Sequence, residues 1–486
     1  MTVTVDVPKN TPSEDTVYLQ SGTHFTRPMT RVDSDTWTIA FSIDDLGDPD
    51  YKPGLNYKGA DFDNGSQMLK YTFTRGWGYL GAESLTDRHT DPFWANARSV
   101  KFEVGITRKD VVDRWRWFPP DGTALPSHPA ALSQWLPRIN GAEFQAGVLY
   151  ADLWDDTIPP LMAPTNAAAK GKAGATWVQI DPPWDYQVID PLPVISNENV
   201  QVPAYSDAAL RAHIKDIKAG GLKVMMEPQV CCNSVSAEHS EEWLRAWFNT
   251  YENFLLYHAR VAAEEKVDAM FLDWSGAQVN ALPGSHNAPA WTLERWREMM
   301  RKVRTVYKGP IGYNTLIIGD GDKQAEAWPW SSLQPIADQF DFIGVAVWSG
   351  IATSANESQT EMDRKMEHAI DVGVLPIYEA TKRPVVFTGI AFASFDGAAI
   401  NDKGVFEVAL ESYYPEQNTK LAWDGVEQAM AFQALMQAVA ERPYVTGVYP
   451  FLYQYLAMPL SPDYSVRDKP AEALLKTWYE RALGKR

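Results

Sequence analysis

Residues 266–276, KVDAMFLDWSG, combine a wholly apolar strand with an acid at its end. The run AMFL has neither charge nor alternation, which is typical of a parallel strand buried on both faces. Asp273, Trp274 and Ser275 follow at once. An unpaired carboxylate is costly inside such a strand, so we expect Asp273 to face a wet cleft at the carboxyl end of the strand.

Similar strand-like runs recur through the rest of the chain, separated by amphipathic helical patterns. One such pattern, SDAALRAHIKDIKAGG at 206–221, has a Ser-Asp start and a Gly-Gly stop. Eight strands alternating with helices predict an α/β protein, a (β/α)8 TIM barrel. A doubly wound open sheet is the alternative, but no Gly-rich phosphate fingerprint follows the first strand. The other runs are AGVLYADLW (146–154), TWVQIDPPW (176–184), LKVMMEPQV (222–230), GPIGYNTLI (309–317), DFIGVAVWSG (341–350), RPVVFTGIAF (383–392) and TGVYPFLYQY (446–455).

The first part of the chain has a different pattern, with short alternating segments such as DTWTIAFSI (35–43) and QMLKYTFTRG (67–76) between turn residues. This pattern predicts an antiparallel β-sandwich. The stretch RWFPPDGTALPSHPAALSQWLPRING (116–141) is rich in Pro and Gly, as linkers are. We therefore expect a β-sandwich domain over 1–118, a linker with a short helix over 119–144, and the barrel over 145–486.

Composition excludes several classes of partner. The 486 residues include 44 Lys and Arg against 62 Asp and Glu, a formal charge of −18, which repels nucleic acid and anionic membranes. No apolar run reaches the roughly 20 residues that span a bilayer. The two cysteines, Cys231 and Cys232, are adjacent and predict packed thiols. No spacing predicts a metal site or a cofactor.

Location and assembly are left open by the sequence. The N-terminus MTVTVDVPKNTPSEDTV lacks the basic and apolar regions of a signal peptide. If a signal peptide was removed, we expect a secreted or periplasmic protein, and otherwise a cytoplasmic one. No pattern predicts an oligomeric state.

In a TIM barrel, functional residues lie at the carboxyl ends of the strands. That rule predicts an acidic and aromatic mouth. For the three acids Asp273, Glu227 and Asp181 we predict catalytic roles. For the remaining strand-end residues we predict substrate binding: Asp152, Trp154, Trp184, Tyr186, Gln187, Gln229, Trp274, Asn314, Trp348, Tyr453 and Gln454.

Several carboxylates beside aromatic rings, without a metal or cofactor motif, favour glycoside hydrolysis. One protonated acid gives its proton to the leaving oxygen, and an ionised carboxylate attacks the anomeric carbon or activates water. Asp273 and Glu227, on neighbouring strands, are the first pair, with Asp181 and Asp152 in reserve. Each acid could instead cap a helix or pair with an arginine, and the aromatic rings could only roof the barrel.

The order of four motifs resembles the clan-A-like (β/α)8 glycoside hydrolases related to a bacterial β-mannanase family. The resemblance covers about residues 145–482, and the N-terminal strands are similar to starch-binding carbohydrate modules. It implies an oligosaccharide or polysaccharide as partner. The motifs are TWVQIDPPWDYQ (176–187), YSDAALRAHIKDIKAGGLKVMMEPQV (205–230), KRPVVFTGIAFASFDGAA (382–399) and LSPDYSVRDKPAEALLKTWYE (460–480).

The resemblance also implies a glutamic acid/base after strand four and a glutamate nucleophile after strand seven. These positions carry Ser275 and Gly389 in this chain. Three explanations are open. In the first, other acids took over the chemistry, with Asp273 in the strand-four position and inversion of the anomeric centre. In the second, the barrel binds glycans without cleaving them, and in the third, the sequence is an inactivated variant. A transglycosylase, lyase or isomerase also fits the barrel. The barrel resembles enzymes of β-linked mannan or glucan, whereas the sandwich indicates α-glucan.

Overall fold

The computed structural model describes residues 1–21, 25–46, 62–63, 66–76, 81–83, 97–150, 158–197, 206–231, 239–320, 326–328, 330–400 and 421–485. Within these ranges the chain divides into an N-terminal β region and a barrel of alternating strands and helices.

Two small sheets form the described part of the N-terminal region. Their strands are β1 (Thr2–Asp6), β2 (Val17–Ser21), β3 (Phe25–Pro28), β4 (Thr30–Arg31), β5 (Thr36–Ala40), β6 (Phe62–Asp63), β7 (Met68–Arg75), β8 (Arg98–Lys101) and β9 (Thr107–Val111). One sheet has the order β4-β5-β1-β9; the other has the order β3-β2-β7-β6, with β8 also paired to β7. The pairing is antiparallel except that β1 and β9 run parallel.

Residues from both sheets bury their side chains in one hydrophobic core. Val3 and Val5 of β1, Leu19 of β2 and Phe73 of β7 all belong to it. Along β1 the buried positions alternate with half-buried ones, as the sequence predicts for a strand with one face on a core. This arrangement is compatible with the expected sandwich.

The sequence predicts a short helix within 119–144, and no α-helix is found in this range. The structure has a 3₁₀ turn at Ile139–Gly141 there, and residues 123–138 have no regular secondary structure. Prolines at 119, 120, 126, 129 and 137 explain the difference, because proline lacks a backbone donor and disfavours helical geometry in the residue before it. Arg138 fastens the end of this segment to the barrel by donating to the carbonyls of Val439, Ala440 and Val445.

Eight parallel strands close into the predicted barrel. They are β10 (Gln145–Tyr150), β11 (Trp177–Ile180), β14 (Lys223–Met226), β16 (Ala269–Leu272), β17 (Ile311–Asp320), β19 (Phe342–Gly350), β20 (Val385–Ile390) and β21 (Val445–Pro450). Each pairs with the next, β16 pairs with β17, and β10 pairs with β21, so the sheet has no gap.

Further elements surround this cylinder. Strands β12 (Pro183–Val188), β13 (Val194–Ser196) and β15 (Gln229–Cys231) form a separate sheet from the segments after β11 and β14, and β18 (Glu326–Trp328) pairs with β17. The helices are α1 (Ile158–Gly171), α2 (Asp207–Ala219), α3 (Glu241–Glu264), α4 (Ser275–Gln278), α5 (Thr292–Val306), α6 (Trp330–Leu333), α7 (Gln359–Gly373), α8 (Leu375–Thr381), α9 (Gly425–Ala440) and α10 (Pro470–Ala482).

The barrel interior is packed and not open as a pore. An apolar layer fills it with Trp177, Met225, Ala269, Phe271, Phe342, Val386 and Tyr449, all buried. A larger core lies between the strands and the helices. None of the helices in the described ranges is both long enough and apolar enough to cross a membrane.

Candidate active site

A polar layer follows the apolar layer toward the carboxyl ends of the strands. Side chains of a strand alternate between its two faces, so a residue two positions after an interior residue also faces the interior. Successive interior pairs are Trp177 and Gln179, Met225 and Glu227, and Val386 and Thr388. Two residues further along each of these strands, the interior side chain is therefore a hydrogen-bonding group and no longer an apolar one.

Glu227 lies at the centre of this layer and is only 2% exposed. Its Oε2 accepts from Gln179 Nε2 at 2.7 Å, and its Oε1 accepts from Asn314 Nδ2 at 2.8 Å. Asn314 is held in turn by Thr388, whose Oγ1 donates to Asn314 Oδ1 at 2.9 Å. Hydrogen bonds thus link side chains from four strands around the Glu227 carboxylate. Among the described residues, no cation contacts this carboxylate.

Asp181 shares the amide that contacts Glu227. Gln179 Nε2 also donates to Asp181 Oδ1, at 3.1 Å, and Gln229 Nε2 approaches Asp181 Oδ2 at 3.3 Å. Because one nitrogen contacts both carboxylates, their nearest oxygens lie within about 6 Å of each other. Asp181 is partly exposed, whereas Glu227 is buried. Of the two, Asp181 is the acid that solvent or a ligand can reach.

Asp273 sits where the sequence predicts, directly after β16, but it is 3% exposed. Its Oδ2 accepts from Ser275 Oγ at 2.5 Å and from the Val230 backbone N–H at 3.1 Å. Its Oδ1 accepts from Tyr251 OH at 3.0 Å and from the Ser275 backbone N–H at 3.3 Å. Four hydrogen-bond donors therefore offset the free-energy cost of burying the Asp273 carboxylate. Contact with solvent, which the sequence predicts, does not.

The three acids differ in how well their charges are stabilised. Burial raises the pKa of Asp181 to about 7, with the charge of Asp273 adding to the rise and the bond from Gln179 opposing it. Burial, followed by the charge of Asp181, also raises the pKa of Glu227 well above its usual range. Burial raises the pKa of Asp273 as well, but its hydrogen bonds all favour the anion. Burial therefore favours the protonated form of all three acids, and among them Asp273 has the most hydrogen bonds that favour its anion.

Several aromatic residues predicted for the mouth are packed elsewhere. The ring of Trp184 lies 4.9 Å from that of Tyr257 and 5.4 Å from that of Phe254, both on α3. Tyr186 is buried and accepts from Trp247 Nε1 at 2.9 Å. Tyr453 is fully buried and donates to Glu472 Oε1 at 2.5 Å. The structure does not bring these three rings into the polar layer.

The remaining predicted residues are distributed as follows. Trp274 is partly buried against an apolar cluster at the carboxyl end of the barrel, and Gln187 and Gln454 are partly exposed. Trp348 belongs to β19, but its side chain is outside the description. Asp152 and Trp154 lie outside the described residues.

Three members of the site were missed in the sequence. Gln179 and Thr388 stand within strands, before the positions where strand-end residues were sought, and Tyr251 belongs to α3. The signal for Gln179 was available, since TWVQI places a polar residue inside an otherwise apolar strand at the spacing of an interior position. Tyr251 offered no such signal, because it occupies the buried face of an aromatic-rich helix.

The two positions that the resemblance assigns to glutamates differ from each other. Ser275 is 1% exposed, begins α4 and is engaged with Asp273. Gly389 has φ +57°, and among the described residues the one neighbour of a Cβ placed there would be Ala346 Cβ, at 3.8 Å. The described residues leave room for a side chain at Gly389, but its left-handed backbone favours glycine.

One acidic group in the described part of the chain has the compactness of a metal site: Asp396, Asp424 and Glu427. Two of these carboxylates, those of Asp424 and Glu427, already have structural roles. Asp424 caps α9 by accepting from the backbone N–H groups of Val426 and Glu427. Glu427 accepts from the backbone N–H groups of Gly397 and Ala399. Through these hydrogen bonds, Glu427 holds the segment after β20 against α9.

Solved structures with a similar fold include two β-mannanases. One, a β-1,4-mannanase of Glycoside Hydrolase Family 113, shares 20% identity at a TM-score of 0.51, covering 70% of this chain and 99% of that one. The other, a β-mannanase of the same family from Alicyclobacillus acidocaldarius, shares 18% identity at a TM-score of 0.50, covering 70% and 98%. At these identities the likeness establishes the fold alone. A search of curated protein sequences finds no match.

The sequence itself matches a family model. The model of Glycoside Hydrolase Family 113 aligns with residues 194–460, more than half of the chain, and spans β13 to the segment after β21. This match supports a glycoside hydrolase that acts on glycans. The chain belongs to Glycoside Hydrolase Family 113.

Proposed function

We propose that the protein hydrolyses glycosidic bonds of a polysaccharide with acids other than the two glutamates of its family. Asp181 is the general acid and Asp273 the anionic partner. The observation that carries this proposal is the difference in their surroundings: Asp273 is buried and accepts four hydrogen bonds that favour its anion, whereas Asp181 is partly exposed and burial raises its pKa to about 7. Acids whose surroundings separate their pKa values are suited to opposite roles.

In this mechanism Asp181 donates its proton to the leaving glycosidic oxygen. Asp273 stays ionised and stabilises the positive charge that develops at the anomeric carbon, while the attacking water adds to that carbon and releases its proton to solvent. Glu227 holds the polar layer together through Gln179 and Asn314 and is the reserve acid. Because glycine stands where the family nucleophile would be, we infer direct attack by water and inversion of the anomeric centre.

We infer that β-1,4-mannan is the first substrate to test, since the two similar structures of the same family are β-mannanases. Soluble α-glucan is the second, because of the starch-binding likeness of the N-terminal strands. A panel of both, followed by NMR of the first-formed anomer, tests substrate and stereochemistry together. We expect new reducing ends from mannan with the inverted anomer first; the retained anomer would reject the direct attack.

A second candidate function is glycan binding without cleavage. The burial of Glu227 and Asp273, at 2% and 3% exposure, favours it, as do Ser275 and Gly389 in place of the family glutamates. Migration through a mannan-containing gel separates the two functions. A protein that is retarded in the gel and releases no reducing ends is a binder; a hydrolase releases them, and Asp181→Asn abolishes that release.

A further inference from the structure

The loop after the last barrel strand connects the polar layer with the N-terminal domain. We call residues 451–460 the strand-eight loop. Its first residues join an apolar cluster at the carboxyl end of the barrel: Leu452 is a buried member of it, with Phe451 and Trp274 packed against it. The backbone N–H of Phe451 donates to the carbonyl of Ile390 at 2.9 Å. Trp274 directly follows the proposed anionic acid, so this end of the loop borders the site.

The other end of the strand-eight loop is packed into the N-terminal domain. Ala457 belongs to the core of that domain, and its carbonyl accepts from Arg75 Nη2 at 2.8 Å. The backbone N–H of Leu460 donates to the carbonyl of Trp117 at 2.9 Å. A Cβ added at Gly76 would lie 3.0 Å from the side chain of Leu456. The two segments pack this closely because residue 76 is a glycine.

Arg467 fastens the middle of the loop. Its Nη1 donates to the carbonyls of Gln454, at 3.1 Å, and of Tyr455. Its Nη2 faces two acids of the N-terminal domain, Glu14 Oε1 at 3.3 Å and Asp15 Oδ1 at 3.5 Å. The guanidinium is buried, with its side chain 1% exposed. A planar group with several fixed donors can hold loop carbonyls and carboxylates at once, which an ammonium cannot do with the same geometry.

A second cation joins Glu14 to the barrel. Lys172, just after α1, contacts Glu14 Oε1 at 2.8 Å and Asp468 Oδ1 at 2.8 Å. Asp15 also pairs with Arg75 Nη1 at 2.6 Å. The charges of this network balance between acids and bases, so it has the character of a structural clamp and not of a binding site for an ion.

We propose that Arg467 is a positioning residue: it ties the strand-eight loop to the acids of the N-terminal domain and thereby holds the wall that this loop forms at the border of the glycan cleft. The inference rests on the proposed function for its catalytic consequence, but its structural part is independent of cleavage. Without Arg467, the loop keeps its place in the apolar cluster against which Trp274 packs, but the carbonyls of Gln454 and Tyr455 lose their donor. The wall of the cleft then becomes mobile while the acids stay in place.

The test compares Arg467→Met with Arg467→Lys in the full chain, with Glu294→Gln as control, because Glu294 forms an exposed pair with Arg301 on α5. Hydrogen exchange is followed in residues 451–460 and in β11. For Arg467→Met we expect at least tenfold faster exchange in the loop and unchanged exchange in β11, with Arg467→Lys in between. Unchanged loop exchange, or equal acceleration throughout the chain, overturns the proposal.

The catalytic consequence is read with mannohexaose. We expect Arg467→Met to raise KM at least fivefold while kcat stays within twofold, because the proposed acids are untouched; a fall in kcat with constant KM overturns the positioning role. If the unaltered chain cleaves neither mannan nor soluble α-glucan, the proposed function has failed, and loop exchange still decides the clamp. If Arg467→Met does not fold, Glu14→Gln is used with the same two measurements and the same deciding outcomes.

Discussion

Replacing Asp181 with asparagine tests both its proposed proton donation and the electrostatic cost of keeping it in the barrel. Burial raises the pKa of this carboxyl from 3.8 to about 7. A difference of that size corresponds to about 4 kcal/mol between the two protonation states. Because the group is partly exposed, solvent screening reduces the effect, and we expect about 2 kcal/mol.

The sign follows from which form the fold prefers. An acid whose pKa is raised by folding stabilises the fold fully below its unfolded pKa, 3.8, and this contribution is lost as pH rises through about 7. The amide that replaces the carboxyl carries no charge at any pH. Relative to the unaltered chain, Asp181→Asn should therefore gain about 2 kcal/mol in free energy of unfolding between pH 4 and pH 8.5.

Urea unfolding followed by tryptophan fluorescence measures the free energy of unfolding at pH 4 and at pH 8.5. The difference between the two pH values removes any effect of the amide that does not depend on pH. Asp216→Asn is the control, since Asp216 is exposed on α2. At the same time, release of reducing ends from mannan should fall by about 10² to 10⁴. A variant with no pH-dependent gain refutes the electrostatic reasoning, and one that cleaves mannan normally refutes the catalytic role.

Three further predictions concern the neighbouring groups. Gln179→Leu removes the amide that lowers the pKa of Asp181, so the alkaline limb of the pH–rate profile should move up by about one pH unit; a shift downward contradicts this. Asp273→Asn should keep the fold but lower the free energy of unfolding by about 2 kcal/mol, because an amide N–H would face a donor, and remove most cleavage; unchanged turnover rejects its role. Burial opposes the charge of Glu14, yet the Lys172 bond and nearby cations lower its pKa to about 2. The stability it contributes is lost as pH falls from 4.5 toward 2, so Glu14→Gln should unfold in urea with less change between pH 5 and pH 3 than the unaltered chain does.

Helix limits and strand positions in the barrel were predictable because they depend on nearest neighbours in the chain. The Ser-Asp start of 206–221 is realised in α2, where Ser206 Oγ accepts from the Ala209 backbone N–H, and the helix ends before Gly220. The wholly apolar AMFL run is β16, buried at every position. The linker shows the limit of the same reasoning, since its prolines prevented the predicted short helix.

The surroundings of the site residues were less predictable. An acid at a strand end was expected to face water, yet Asp273 is buried by Tyr251 and Ser275. Tyr453 was expected at the mouth but lies against Glu472 of α10. A strand-end position specifies where a Cα lies, whereas the direction and partners of the side chain depend on elements distant in sequence.

By itself the sequence determined the barrel, its strand ends and the presence of several acids there, because hydrophobic period and turn chemistry act through the local backbone. Only the tertiary structure decided how the surroundings of each acid shift its pKa. These shifts depend on desolvation and on donors such as Gln179, Tyr251 and the Val230 backbone N–H, contributed by different elements of the chain. These groups come together only when the sheet closes, so their effect on each pKa has no counterpart in any local pattern.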